Sequence, residues 1–290
     1  MKANENAVHA MPEAGRVAKS LAFLDAAIEK YKPAKIIGLF SGGHDSTTAV
    51  HVAARHPQFS YAVHINTGIG VPATRVFVRE TAARQGWHLR EYHAADCGQD
   101  YRQIVKEHGF PGPGRHSMMY RRLKERALRV ALKEAKSGYP LRTNIIFISG
   151  VRQSESTRRM GYDEPVTKDG SKIWVNIIHD WSKADCNRYL DNSKIQRSAV
   201  VDKIHKSGEC LCGAYASPGE AEELEFWFPE VMAEIRSMEI NPDVPAERRA
   251  WGWGCYQKRR GKNGPLCAGC ARPNAALDAL RGEKERGAGA

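Results

Sequence analysis

One segment, residues 36–50 (IIGLFSGGHDSTTAV), narrows the possible folds of this chain more than any other segment. It passes from an apolar run, typical of a buried strand, through Gly42 and Gly43 into helix-forming residues. In a parallel α/β sheet such a turn lies at the carboxyl edge, where ligands bind. The glycines let backbone N–H groups approach an anion, and the following helix N-terminus favours phosphate. Because short glycine motifs recur by chance, an ordinary βα turn with a capping serine is the alternative.

Strand and helix patterns alternate along the chain to about residue 195. Strand patterns occupy residues 36–40, 59–65, 87–94, 144–150 and 173–178. Helical patterns occupy residues 12–28, 47–54, 75–85, 101–109, 117–136 and 181–190. Strands separated by helices imply crossover connections, so we predict an α/β fold with a parallel twisted sheet and flanking helices.

The pattern changes beyond residue 192, where glycine, cysteine and tryptophan cluster around one helix-like stretch at residues 219–238. We therefore predict an α/β nucleotide-binding domain at residues 1–195 and a cysteine-rich, metal-binding region at residues 196–275. The polar residues 276–290 are predicted to form a disordered tail.

Charge and targeting signals bear on partners and compartment. The net charge is +11, from 44 Lys and Arg against 33 Asp and Glu, which favours polyanions such as nucleotides or nucleic acid. No apolar run is long enough to span a bilayer and no secretory signal is present, so we expect a cytoplasmic protein without a membrane partner. In a reducing compartment the seven cysteines are more typical of metal ligands, catalytic thiols or core residues than of disulfides. We interpret Cys97 and Cys186, inside the α/β part, as core residues.

The sequence SGGHDS at residues 41–46 lacks the Gly-Lys-Ser/Thr ending of a Walker loop. It resembles the SGGxDS pyrophosphate loop of the PP-loop ATP pyrophosphatases, which are relatives of the adenine nucleotide alpha hydrolases and have a Rossmann-like sheet. The resemblance implies that ATP is cut between its α and β phosphates while an acceptor is adenylated. It also implies Mg²⁺ and phosphate contacts for Asp45 and Ser46. The loop residues expected to bind the nucleotide are Ser41, Gly42, Gly43, His44, Asp45 and Ser46.

Three further segments are similar to the phosphoadenylyl sulfate (PAPS) reductase branch of that superfamily. HINTGIGVPATRVFV resembles its second strand and Thr-Gly turn, GVRQSESTRR resembles its anion segment, and NIIHDWSKADCNRYL resembles the stretch that follows. The resemblance covers roughly residues 30–195. It adds the expected ligand-binding residues Thr67, Gly68, Gly150, Arg152, Ser156 and Arg159. Of all these residues we expect Asp45, Ser46 and Arg152 to act in catalysis.

Two departures from the reductase branch affect the expected reaction. Reductases usually have a degenerate phosphate loop, whereas SGGHDS is complete, and this favours ATP as the ligand. Reductases also use a cysteine in a C-terminal Glu-Cys-Gly tail, whereas this sequence ends in GAGA. The GEC sequence at residues 208–210 is only a superficial echo of that tail.

Arginines follow the predicted fourth strand and also fill one long helix. Arg152, Arg158 and Arg159 can bind an anion through their guanidinium groups, although a solvated connecting loop would look similar. Positions 122, 126, 129 and 133 share one helix face that fits either a nucleic-acid backbone or an ordinary solvated surface.

Five cysteines lie within residues 210–270. Cys210 and Cys212 form a Cys-x-Cys pair, and Cys267 and Cys270 form a Cys-x-x-Cys pair. Together they can supply four thiolates to Zn²⁺ or to an iron–sulfur cluster, and Cys255 could replace Cys212. Spacing does not separate the two metals, but thiolating members of the resembled family carry a [4Fe–4S] cluster, which makes zinc the alternative.

Trp251 and Trp253 accompany a basic run that fits either a single-strand-binding surface or packing around the metal site. The leading hypothesis is a PAPS reductase-like enzyme that binds Mg-ATP, adenylates an acceptor and takes part in sulfur transfer. Its partners would include a nucleotide, tRNA or DNA, and a sulfur donor protein. One alternative is a phosphoadenylyl or adenylyl sulfate reductase, and another is a non-catalytic nucleic-acid-binding module.

Overall fold

The structure, a computed structural model, describes residues 12–153 and 164–253. Within these ranges the helices are α1 Glu13–Tyr31, α2 His44–Ala54, α3 Pro72–Arg84, α4 Tyr101–His108, α5 His116–Tyr120, α6 Arg126–Ala135, α7 Lys183–Asn192, α8 Ala199–Ile204, α9 Glu220–Trp227 and α10 Pro229–Glu239. The strands are β1 Lys35–Leu39, β2 Phe59–Asn66, β3 Leu89–His93, β4 Ile145–Ser149, β5 Val166–Asp169 and β6 Lys172–Asn176.

The six strands of the described ranges form one sheet in the order β3-β2-β1-β4-β6-β5. Every neighbouring pair is parallel except β5 and β6, which form an antiparallel hairpin at one edge. The predicted α/β fold with a mainly parallel sheet is therefore confirmed. The sequence analysis missed β5 because it is only four residues long and Val166 is its only apolar residue, so it carries no alternating pattern.

The strand order fixes where a ligand can bind. The chain leaves β1 for β2 on one side and later returns to β4 on the other side of β1. A crevice opens at the carboxyl ends of the strands where the order reverses, and this switch point lies between β1 and β4. The glycine turn after β1 and the Gly150 segment after β4 therefore meet at the same place.

Alternate residues of the central strands face opposite core layers. Ile36 packs with α1, α2 and α7 on one face of the sheet, whereas Ile37 packs with α6 on the other. Because both faces are covered, β1 and β4 carry continuous apolar runs, residues 36–39 and 145–148, rather than an alternating pattern. Helix α3 joins the first face through Phe77 and Val78. The glycine turn is thus anchored to a strand that is packed on both sides.

The described residues separate into two compact units. The first unit contains the whole sheet and comprises residues 12–101, 120–153, 164–202 and 206–210. The second comprises residues 102–119, 203–205 and 211–253, including α9 and α10. The predicted domain boundaries at residues 195 and 275 stay a prediction.

Two predicted helices differ in the structure. The single helix predicted at residues 219–238 is two helices, because Phe228 leaves the helical conformation, with φ −141° and ψ 62°, and Pro229 starts a new first turn. The long basic helix predicted at residues 117–136 is interrupted by a π-helical turn, Arg121–Glu125, between α5 and α6. Within the residues the structure describes, no helix is long and apolar enough to cross a membrane.

Candidate nucleotide site

The glycine turn after β1 has a left-handed residue followed directly by a helix. Gly42 has a φ of 77°, a conformation that disfavours side-chain-bearing residues. Gly43 is extended and caps α2, whose first backbone bond runs from Thr47 N to the Gly43 carbonyl at 2.9 Å. The amides of the first helical turn have no carbonyl partner within the helix and point toward its N-terminal end. Together with the helix dipole, they make this turn suitable for phosphate.

Two serine hydroxyls stabilise the turn from inside. The Ser46 hydroxyl donates to the Gly43 carbonyl at 2.9 Å and accepts from the Ser41 hydroxyl at 3.1 Å. The Ser41 amide also points to the Ser46 hydroxyl, at 3.3 Å. Because the Ser46 proton is engaged inside the turn, the backbone amides are the donors left for an anion in this conformation.

Gly150, directly after β4, packs against the first turn of α2. A Cβ atom placed on Gly150 would lie 2.7 Å from the Ser46 nitrogen and 2.8 Å from the Asp45 carbonyl carbon. These are backbone atoms that cannot move aside as a flexible side chain could. A glycine here therefore lets the end of β4 form a close-packed cradle with the first turn of α2, whereas any side chain would collide with that backbone.

Arg152 brings a cation to the same turn. Its Nε lies 3.0 Å from an Asp45 carboxylate oxygen, and the Arg152 side chain is buried while that of Asp45 is partly exposed. The segment that carries Arg152 is held at both ends. Val151 N donates to the Ser149 hydroxyl at 3.2 Å, and Gln153 N donates to the His179 carbonyl at 2.7 Å.

The polar end of β4 is also fixed to β6. The Ser149 hydroxyl donates to the Asn176 side-chain oxygen at 2.7 Å, and both residues are buried. A buried polar pair of this kind is costly unless both partners are satisfied, and here the two side chains satisfy each other at the end of β4.

His44 contributes its backbone rather than its side chain to the turn. The ring is buried, with Nδ1 at 3.1 Å from the Asn187 side-chain oxygen and Nε2 at 3.7 Å from Asp202. Burial lowers the pKa of His44 below its ordinary value, and this outweighs the raising effect of Asp202. The imidazole is therefore neutral near neutral pH and is not a cation for phosphate.

The Thr67–Gly68 turn follows β2 at the same edge of the sheet. Gly68 has a φ of 79°, and its amide donates to the Asn66 side chain at 3.0 Å. Thr67 is fully buried, and its amide donates to a Glu209 carboxylate oxygen at 2.9 Å. The structure therefore brings a residue from near the end of the first unit against a turn that the sequence singled out.

Glu209 also contacts His64, which is fully buried on β2. His64 Nε2 lies 3.1 Å from the second Glu209 oxygen, and Nδ1 lies 2.8 Å from the Phe40 carbonyl. Burial by itself lowers the pKa of His64, but the hydrogen bond and charge of Glu209 reverse this and raise it above its ordinary value. The pair therefore places an imidazole directly beside a carboxylate in the buried part of the site.

Sequence reasoning missed His64, Glu209, Ser149 and Asn176. His64 lies in a strand pattern in which a histidine has no special signal, and Glu209 lies in the GEC sequence interpreted as a superficial echo. These residues are far in the sequence from the groups they contact, so their contacts become visible only in the folded structure. Ser156, Arg158 and Arg159 of the predicted anion segment lie outside the described residues.

The predicted metal site is only partly within the described ranges. Cys210 is partly buried and Cys212 is buried, whereas Cys255, Cys267 and Cys270 lie outside those ranges. Among the residues that are described, no group of three or more His, Cys, Asp or Glu side chains could hold a metal ion. The cysteine site therefore stays a prediction.

The two cysteines interpreted as core residues differ in burial. Cys186 is fully buried in the core of the first unit, and burial raises the pKa of its thiol. Cys97 is only partly buried beside the other core layer.

Parts of the predicted nucleic-acid surfaces are engaged within their own units. Arg122 donates to the Gln99 side chain at 2.8 Å, and Arg129 donates to Glu125 at 2.6 Å. Trp251 is buried and donates to the Leu211 carbonyl at 2.8 Å, and Trp253 donates to the Phe110 carbonyl at 2.5 Å. Trp251 therefore packs beside the Cys212 segment rather than presenting a stacking face.

A comparison with protein families decides the family. The sequence profile of the phosphoadenosine phosphosulfate reductase domain matches residues 35–214, more than half of the chain. The chain belongs to this family. It is thus a PAPS reductase-like member of the PP-loop superfamily, as its motifs indicate. The matched range contains the glycine turn, the Thr67–Gly68 turn, Arg152, Glu209 and both described cysteines of the predicted metal site.

Solved structures of three enzymes are similar to this chain at low identity. The PAPS reductase of Candida auris is 16% identical, with a TM-score of 0.47 over 63% of this chain and 84% of that chain. The Candida glabrata FMN adenylyltransferase in complex with ATP is 12% identical, with a TM-score of 0.47 over 69% of this chain and 65% of that chain. The NH3-dependent NAD synthetase of Campylobacter jejuni is 15% identical, with a TM-score of 0.48 over 79% of this chain and 93% of that chain. No curated protein matches the chain.

Proposed function

We propose that this PAPS reductase-like protein binds Mg-ATP at the glycine turn and cleaves it between the α and β phosphates. An acceptor nucleophile would form a bond to the α phosphorus while the bond to the bridging oxygen breaks and pyrophosphate leaves. A sulfide-level sulfur nucleophile supplied by a donor protein would then attack the activated carbon of the acceptor, forming a carbon–sulfur bond while the bond to AMP breaks and AMP leaves. Candidate acceptors are tRNA, DNA or a small molecule, with the basic α6 helix supporting a polyanion.

The observation that carries the proposal is the meeting of three features at the switch point of the sheet. These are the complete SGGHDS turn with its α2 amides, the glycine cradle at Gly150, and the Arg152 guanidinium. Backbone amides and a fixed cation stabilise phosphate charge without reorganising during the reaction. A degenerate turn would lack the serines and the carboxylate that this turn retains.

The Asp45 carboxylate fits the role of a magnesium ligand. It is partly exposed at the helix N-terminus, and its neighbour Arg152 limits the cost of holding a carboxylate there. Magnesium in nucleotide sites is usually held by one or two carboxylates together with substrate phosphates. When bound, the ion would neutralise developing charge on the phosphate oxygens. Asp45 would hold it, and Arg152 would orient Asp45 and contact phosphate.

The proposal also includes a cluster held by cysteines. Its proposed ligands are Cys210, Cys212, Cys267 and Cys270, with Cys255 as the alternative ligand. A [4Fe–4S] cluster is favoured by the resemblance to thiolating enzymes, and zinc is the alternative. No step of the proposed reaction depends on it.

The proposed activity can be tested with ATP labelled at the α phosphate. We expect the purified full-length protein with Mg²⁺ and tRNA, DNA or a small thiol to form AMP and pyrophosphate. Asp45→Asn keeps the shape of the side chain and removes its charge, and we expect it to lower turnover by about a hundredfold or more. If no acceptor yields either product and Asp45→Ala leaves ATP binding unchanged, the proposal is wrong.

The family match also supports a second candidate, reduction of PAPS or adenylyl sulfate. That reaction would need a thiol donor such as thioredoxin and would release sulfite without ATP. Sulfite release with no AMP formation from ATP would favour the reductase. Salt-dependent binding of DNA or RNA without turnover of any nucleotide would instead favour the non-catalytic nucleic-acid-binding module.

A further inference from the structure

A short segment that follows α8 crosses the ligand edge of the sheet. Residues 207–209, which we call the strap, belong to the first compact unit. Glu209 of the strap is 142 positions away from Thr67 in the sequence, yet the two residues are hydrogen-bonded. The strap also approaches the glycine turn, because a Cβ on Gly43 would lie 3.5 Å from the Ser207 Cβ.

Hydrogen bonds to its backbone carbonyls hold the strap along the start of α3. Val71 N donates to the Gly208 carbonyl at 2.8 Å, and the Thr74 hydroxyl donates to the Ser207 carbonyl at 2.6 Å. Contact is so close at Gly70 that a Cβ there would lie 2.5 Å from the Glu209 carbonyl oxygen. The strap therefore fits against the β2–α3 connection with no room for an extra methyl group.

The Glu209 side chain links the strap to two loops at once. One carboxylate oxygen accepts from the Thr67 amide, and the other faces His64 Nε2 at 3.1 Å. His64 in turn bonds the Phe40 carbonyl, the last residue before the glycine turn. The Thr67 hydroxyl adds a bond to the Glu209 carbonyl at 2.5 Å.

Glu209 is too buried to be an incidental surface carboxylate. It is 2% exposed and His64 is 0% exposed. A carboxylate at such a depth is strongly unfavourable unless donors compensate it, and removing one partner leaves the other uncompensated. The network can thus fix the geometry of the loops it joins, since both of its ends are backbone groups of those loops.

We infer that Glu209 is a positioning residue of the nucleotide site, holding the Thr67–Gly68 turn and the start of the SGGHDS turn in the arrangement that binds ATP. The inference rests on the proposed function, because it concerns the same site. The GEC sequence at residues 208–210 thereby gains a positioning role, and its glutamate, Glu209, is the residue that performs it.

The first test adds one methyl group at Gly70, where it would push the strap away from the connection between β2 and α3. Gly70→Ala is compatible with the backbone, because Gly70 is not left-handed, but it displaces the Glu209 carbonyl. Gly114→Ala is the matched control, since a Cβ there meets nothing within 4 Å. We expect equilibrium dialysis of Mg-ATP to show binding weakened by about tenfold or more in Gly70→Ala and unchanged in Gly114→Ala.

The second test compares two substitutions of Glu209. Glu209→Gln keeps an oxygen for the Thr67 amide and an amide that can donate to neutral His64, so we expect ATP affinity within about threefold of the wild type. Glu209→Ala loses both bonds, and we expect the KM for ATP to rise about tenfold or more with a much smaller change in kcat. If Glu209→Ala does not fold, Gly70→Ala and Glu209→Gln carry the comparison.

The results separate this inference from the proposed function. A wild-type protein that does not bind Mg-ATP overturns both. A wild-type protein that binds Mg-ATP, with folded Gly70→Ala or Glu209→Ala binding it equally well, overturns only the role of Glu209. Loss of affinity in Gly70→Ala, together with near-wild-type affinity in Glu209→Gln, supports it.

Discussion

At the level of single residues, the site depends on positions where no additional atom can be accommodated. Gly42 provides a backbone conformation, whereas Gly150 provides space beside the Ser46 amide. The two glycines therefore have different physical roles although both flank the same turn. A Cβ at Gly150 would obstruct the packing of the first turn of α2, whose amides are proposed to bind the anion.

Gly150→Ala tests that obstruction. The added Cβ would overlap the Ser46 nitrogen at 2.7 Å, so we expect Mg-ATP affinity to fall by about tenfold or more, with a loss of stability from displaced backbone. Isothermal titration calorimetry, together with a thermal melt, measures both effects. Gly114→Ala again serves as the control, and a wild-type affinity in folded Gly150→Ala would show that the cradle is not used.

The sequence was sufficient to predict which residues form the turn, because strand, glycine pair and helix are adjacent in the chain. It was not sufficient to predict the direction of the His44 side chain, which depends on contacts with Asn187 and Asp202 far along the sequence. The His64–Glu209 pair was unpredictable for the same reason. The residues of a contiguous motif could be predicted from the sequence, whereas their contacts with other elements could be identified only from the folded structure.

At the level of elements, β3 is tied to α3 by a two-pronged ion pair. Arg79 donates to both oxygens of Glu91, each at 2.8 Å, and Asn66 adds a bond at 3.3 Å. The hydrogen bonds from Arg79 lower the pKa of Glu91 to about 2. Such a pair holds the edge strand against the helix that follows the Thr67–Gly68 turn.

This pair predicts a specific pH dependence of stability. Because the folded-state pKa of Glu91 is depressed, its contribution is present above the unfolded-state pKa of about 4.3 and is lost as the pH falls toward 2. We expect wild type to exceed Glu91→Gln in unfolding free energy by at most about 2 kcal/mol at pH 6, after solvent screening of the exposed Arg79, and by less at pH 3. Urea denaturation at both values measures this. The control is Glu80, an exposed residue whose carboxylate lies 3.9 Å from Arg84. Glu80→Gln should show no comparable change of stability with pH. An equal change in Glu80→Gln would contradict the assignment of the effect to Glu91.

Elements with strong periodicity were predictable, and those set by local exceptions were not. Helix α1 and strands β1, β2 and β4 match their patterns because apolar residues recur at the spacing of each structure. The break at Pro229 was readable in principle, since proline ends a preceding helix, but the continuous apolar pattern concealed it. The polar β5 strand follows only from its pairing with β6.

At the level of the whole molecule, the predicted metal site would join cysteines from distant parts of the sequence. We expect Cys210→Ser, Cys267→Ser and Cys270→Ser each to lower the metal content and folded yield of anaerobically purified protein, because each removes a thiolate ligand. Cys97→Ser is the control, since Cys97 lies beside a core layer of the first unit. Metal analysis and an absorption spectrum distinguish iron from zinc, and full occupancy in all three variants would exclude these cysteines.

The strap also sets the order in which the molecule can be completed during synthesis. The ribosome delivers every strand of the sheet well before it delivers Glu209, whose bonds to Thr67 span 142 positions. Closing so long a loop is slow compared with forming local helices. A nascent chain that has emerged only to residue 195 would thus contain the complete glycine motif but would lack Glu209, the residue that accepts the hydrogen bond from the Thr67 amide.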